Sequence, residues 1–216
     1  MTEAELRERI LASVARERPP TRRTHLLRAW LLFAVGLAVS LAIFFAFGGV
    51  RPTGRPASLI LATSLGAAVV AAFTMWGADV HGGRLLGRPR RWLIALAVLA
   101  PLALLIWKIA VSAAYPGGLA EWPERIGLRC LRLSLLLGAW PLIAFLFARR
   151  STPVHPTLAG LAFGVSVGAW TWLLVDLWCP VAFAPHLLLG HVLPLLLLGA
   201  AGALAGRWVL SPRVKR

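Results

Sequence analysis

A chain of 216 residues that is 59% hydrophobic and only 14% charged carries too little charge for a water-soluble domain of its size. A soluble core has no room for so much Leu, Ala, Val and Trp, so the bilayer is expected to be the solvent for most of the chain. The net charge of +15 would suggest nucleic acid if it covered one soluble face. Here the Arg residues cluster between apolar runs, which points to anionic headgroups and argues against direct nucleic-acid binding.

Residues 1–28 read as a cytoplasmic tail. Thr2 and Glu5 have capping-box spacing, and Leu6, Ile10, Leu11 and Val14 recur on one helical face before Pro19 and Pro20 end the pattern. A short amphipathic helix is expected there, followed by a basic lead from Thr21 to Arg28. The first apolar run follows this charged tail and is longer than a signal-peptide core, so an uncleaved anchor is expected.

Six apolar stretches come next, at about 30–50, 58–76, 92–111, 127–147, 157–178 and 187–210. They make a membrane domain over 29–210 and leave 211–216 as a second cytoplasmic tail. Each is close to the roughly 20 residues that a helix needs to cross the hydrocarbon. The expected fold is an all-α bundle of six transmembrane helices with a short N-terminal amphipathic helix. Lys108 is near enough to the end of the third stretch to snorkel. The fourth stretch opens with Arg129 and Arg132, which shortens its apolar part.

With the N-terminus inside, seventeen of the 23 Lys and Arg fall on the inner side. Arg51, Arg55, Lys108, Arg125, Arg129 and Arg132 fall outside. That bias predicts a multi-pass protein of the bacterial inner membrane with both termini cytoplasmic. Trp30, Trp76, Trp92, Trp107, Trp122, Trp178 and Trp208 sit near predicted ends, as an aromatic belt would. Gly160, Gly164 and Gly168 form a doubled G-x-x-x-G, and Gly202 and Gly206 lie on the last helix. Both sets read as close helix contacts. Pro101, Pro141 and Pro194 fall inside helices, where membrane proteins tolerate them.

The only cysteines, Cys130 and Cys179, are predicted at one membrane depth, at the outer start of the fourth helix and the outer end of the fifth. In a bacterium that side is oxidising, so a disulfide or a responsive thiol pair is possible there. His186 and His191 follow at the mouth of the sixth helix. Thiolate and imidazole at one depth could hold a soft metal ion, although the spacing matches no known metal motif. The plainer alternative makes Cys130 a small buried hydrophobe and the histidines interfacial. His81 and His155 read as solvated loop residues. The sequence has no H-E-x-x-H, G-x-S-x-G or Walker loop, so no enzymatic activity is expected. Asp176 is the only acid inside a predicted span and lies near its end, which gives a transport pathway little support.

The tail L-R-E-R-I-L-A-S-V-A, the six spans, the cysteines in L-R-C-L-R and D-L-W-C-P, and the last run G-H-V-L-P-L-L-L-L-G-A-A-G-A-L-A-G-R together resemble the NrsF-like family of bacterial integral membrane anti-sigma factors. The resemblance covers most of the chain. It implies that the protein holds an extracytoplasmic-function (ECF) sigma factor at the membrane until stress arrives. It also implies that Cys130 and Cys179 sense heavy-metal or oxidative stress, with a transient heavy-metal ion as the one conceivable ligand and no resident cofactor. Read this way, Leu6, Ile10 and Val14 anchor the partner, while Arg7 and Glu8 set its register. Two other readings compete: a small transporter or permease subunit, and a structural membrane subunit without signalling.

Overall fold

A computed structural model describes residues 5, 8, 22–50, 55–78, 88–121, 123–124, 126–148 and 154–209. Six long helices make up nearly all of it: α1 (Arg22–Ala46), α2 (Ala57–Ala78), α3 (Arg90–Ala113), α4 (Leu128–Ala148), α5 (Pro156–Trp178) and α6 (Ala184–Val209). There is no strand among the described residues. Helices α2, α3, α5 and α6 are long and apolar enough to cross a membrane, and Leu31–Ala46 of α1 is a shorter apolar stretch.

The six expected helices are therefore present, with shifted ends. Helix α1 begins at Arg22, because nothing in the basic lead after Pro20 stops a helix. It ends at Ala46, short of the expected limit, because Gly48 and Gly49 take positive φ values of 103° and 57° and turn the chain back. Their N–H groups donate to the carbonyls of Phe45 and Phe44, which covers the open end of the helix. Of the N-terminal tail, Glu5 and Glu8 are helical and exposed. Leu6, Arg7, Ile10 and Val14 lie outside the described residues, as do His81 and the last tail, 211–216.

Helix α5 is the centre of the bundle and packs against α2, α3, α4 and α6. It is mostly apolar all round, as suits a helix surrounded by others. Its closest neighbour is α6, which runs antiparallel to it. A methyl group at Gly164 would lie 2.9 Å from Gly199 Cα, and one at Gly202 would lie 3.0 Å from Gly164 Cα. The glycine stripes thus let backbone touch backbone.

Helix α1 packs on α4 in the same way. A methyl at Gly36 would lie 2.8 Å from Pro141 Cα, and the buried Ser40 hydroxyl donates to the Leu137 carbonyl at 2.6 Å. Helices α2 and α3 pair through two indoles: Trp92 Nε1 donates to Gly77 O and Trp107 Nε1 to Ala62 O, each at 3.0 Å. Buried hydroxyls of Thr63, Thr74, Ser166 and Thr171 donate to carbonyls of their own helices. Internal donation of this kind is what a lipid environment demands.

Alternating helix directions bring the end of α1, the start of α2, the end of α3, the start of α4, the end of α5 and the start of α6 to one end of the bundle. The functional candidates lie there.

Candidate metal and thiol centre

Cys130 is the third residue of α4, one turn after Gly127. Gly127 takes φ 98°, a value that L side chains rarely adopt. A methyl there would lie 3.0 Å from both the Gly190 nitrogen and the His186 carbonyl. In return, a methyl at Gly190 would lie 3.0 Å from Cys130 Cβ. These two glycines therefore let the start of α4 press onto the start of α6 and carry Cys130 with it.

Cys179 caps the end of α5. Its backbone is extended, with φ −104° and ψ 121°, and its N–H donates to the Val175 carbonyl at 2.7 Å. Pro180 follows and forbids a further helical turn, because the residue before proline is pushed out of the α region. The chain then crosses to α6, which begins at Ala184, three residues before the expected start. Both His186 and His191 consequently lie on the helix.

The two histidines are five residues apart. On a regular α-helix that spacing would turn them about 140° from each other. Leu188–Val192 instead forms a π-turn, whose wider winding lessens that angle and brings the two rings toward one face. The rings of His186 and His191 are 5.7 Å apart, and Trp172 of α5 closes the far side of His191 at 5.2 Å.

His186 Nε2 lies 3.5 Å from Cys130 Sγ and 3.1 Å from Cys179 Sγ. All four potential ligand atoms, from Cys130, Cys179, His186 and His191, lie within 4.8 Å of one another. All four residues are buried, none more than 3% exposed, and the two cysteines are not joined in a disulfide. Neither ring nitrogen of His191 has a hydrogen-bond partner among the described residues. The structure thus unites all four centre residues expected from the sequence. Against the plainer alternative of interfacial histidines, both rings are interior.

Sequence reasoning missed the charged layer beside this centre. Lys108 was expected to snorkel, but it is buried and paired with Asp176 of α5. With Asp176 one helical turn from Cys179 and facing α3, the ammonium gains more from the carboxylate than from reaching an interface. The signal was present in the sequence, since one base and one acid lay at the same predicted depth on different spans. Arg55, at the start of α2, donates from Nη2 to the Asp176 backbone carbonyl at 3.1 Å. Burial lowers the Arg55 pKa from its ordinary value, while the nearby Asp176 carboxylate pulls it back up. Two cations, one carboxylate and two thiols therefore share this end of the bundle, which is also ringed by Phe44, Leu133, Leu137 and Val181.

Comparison with known proteins places the chain in a family. A family model described as negative regulator of sigma F, NrsF, matches residues 14–211. The anti-sigma-F factor NrsF of Caulobacter vibrioides (strain NA1000 / CB15N) is 40% identical over 76 residues, which is 35% of this chain and 33% of that protein. The aligned stretch thus spans about a third of the curated relative. No solved structure matches the chain. The family match extends from the middle of the N-terminal tail through the last helix and includes every residue of the cysteine and histidine centre. This chain belongs to the NrsF family, the negative regulators of sigma F.

Proposed function

We propose that this protein is a membrane-bound anti-sigma factor. Its N-terminal tail sequesters an ECF sigma factor in the cytoplasm, and a metal or oxidant reaching Cys130 and Cys179 from the envelope side releases it. The observation that carries this reading is the family match over residues 14–211, joined to a cysteine pair drawn together from two helices. The role is regulatory rather than enzymatic, and bound sigma factor is withheld from polymerase by mass action.

Four helices suited to crossing a bilayer support placement in the inner membrane, and the Arg distribution favours cytoplasmic termini. In the tail, Leu6, Ile10 and Val14 form the apolar face that enters a groove on the partner, flanked by Arg7 and Glu8. A change at the thiols alters how α4, α5 and α6 meet, and rigid helix movement carries it across about 30 Å of bilayer.

The buried Lys108–Asp176 pair favours this reading over a permease subunit. A proton or ion path needs ionisable groups facing water near mid-depth, whereas these two lie at the helix ends and engage each other.

Affinity capture tests the proposal. Full-length protein in detergent is expected to retain an ECF sigma factor, and a chain lacking Met1–Arg18 is expected to lose it by at least tenfold. Such a loss corresponds to about 1.4 kcal/mol, the contribution of a single good apolar anchor. Equal retention by both chains would remove the tail from the mechanism.

A further inference from the structure

The centre holds more than a thiol pair. We infer that Cys130, Cys179, His186 and His191 are the four ligands of one tetrahedral site for a borderline-soft divalent ion of the Zn2+ or Cd2+ type. This deepens the proposed function, since it rests on the two thiols being where the signal is received. Binding of the ion itself requires no sigma factor.

Geometry comes first. Ordinary metal–sulfur and metal–nitrogen bond lengths place the ligand atoms of a tetrahedral Cys2His2 site about 3.3–3.8 Å from one another. His186 Nε2 already lies 3.5 and 3.1 Å from the two sulfurs, and no pair in the set exceeds 4.8 Å. Contraction of the widest pair by at most about 1.5 Å completes the shell. The ligands also come from three separate segments, the start of α4, the end of α5 and the first turns of α6.

Hydrogen bonding points the same way. His191 is only 2% exposed, and both of its ring nitrogens lack a partner among the described residues. An imidazole left so is costly in an apolar interior. A metal bond to one nitrogen removes most of that cost.

Charge then selects the ion. Two thiolates and two neutral imidazoles carry −2, and a divalent ion brings the set to zero, the only inexpensive total in a low-dielectric interior. Coordination is a proton-for-metal exchange. Each thiol gives its proton to solvent as its sulfur–metal bond forms, and no atom changes oxidation state. Sulfur and imidazole ligands disfavour Mg2+ and Ca2+, which need oxygen, and the nearest carboxylate, Asp176, is engaged by Lys108. Because both sulfurs are ligands, a bound ion and an oxidant compete for the same atoms.

The experiment is Co2+ titration of the purified full-length chain in detergent, with no sigma factor present. One Co2+ per chain is expected, with strong d–d bands of a tetrahedral site and a sulfur-to-cobalt charge-transfer band. Zn2+ and Cd2+ should displace the Co2+, and Mg2+ should not. His191→Phe, which keeps a ring beside Trp172, should weaken binding at least tenfold and shift the d–d bands while the charge-transfer band remains. Cys130→Ala should reduce the charge-transfer band by about half. Weak octahedral-type spectra, or identical titrations for parent and His191→Phe, would overturn the site. Loss of Co2+ binding with intact sigma capture would refute this inference alone, whereas intact Co2+ binding without sigma capture would refute the anti-sigma reading alone.

Discussion

The helix pair α5 and α6 behaves in opposite ways at its two ends. Away from the cysteines, Gly160 and Gly164 meet Gly202 and Gly206 so closely that a single methyl group has no space. At the cysteine end the same two helices part. Helix α5 stops at Cys179, the chain crosses through Pro180 to Phe183, and α6 starts with one α turn and a π-turn that each carry a buried histidine. The seam is dry, apolar and tightly fitted, and the other end holds thiols, imidazoles, an ion pair and an arginine. A rigid glycine seam fixes the register of the two helices, and with the register fixed, Cys130 of α4 can converge at the far end with side chains almost fifty residues or more away in sequence.

The largest expected effect tests the seam. In Gly164→Leu the new side chain would run into the Leu198 carbonyl and the Gly199 backbone. Backbone cannot yield as a flexible side chain can, so a loss of about 3 kcal/mol or more is expected. It should appear as a lost monodisperse peak or a collapsed melting transition in detergent. A variant that melts like the parent would show that the seam is looser than it looks.

An effect of the same order tests the polar end. Lys108→Met leaves Asp176 charged and buried without its partner, which costs about 3–5 kcal/mol. Replacing both, Lys108→Met with Asp176→Leu, should recover most of that loss, since the buried pair itself adds little net stability. Failure of the double variant to recover would mean that the pair also positions Cys179, and it would tie the charged layer to the thiols more closely than burial alone requires.

The smallest effect concerns neither end. Trp107→Phe removes the indole hydrogen bond from α3 to the Ala62 carbonyl of α2 and should cost only about 0.5–1 kcal/mol. A much larger loss would make the α2–α3 pair, and not the α5–α6 seam, the mechanical centre of the bundle.

Much of the architecture was legible in the chain because it follows from local composition. Apolar stretches of spanning length gave the six helices to within a few residues at most ends. Four-residue glycine spacing located the α5–α6 seam. Gly48 and Gly49 closed α1 earlier than an uncharged run implied, since a hydropathy reading takes no account of the positive-φ turn that glycine allows. The partnership of Lys108 with Asp176 was hidden. Snorkelling is a property of one side chain and its depth, whereas pairing across helices depends on which faces meet. The π-turn was hidden as well: it lies where Gly190 meets Gly127, two residues far apart in the chain.

By itself the sequence determined that this protein is a bundle of apolar helices with its thiols on two different helices at one level, because hydrophobicity, charge bias and glycine spacing act locally and add up along the chain. Only the tertiary structure decided that Cys130, Cys179, His186 and His191 face one another within 4.8 Å and that Lys108 turns inward to Asp176. Those are relations between helix faces, and a face acquires its neighbour only when glycine contacts and helix direction have set how the segments lie together.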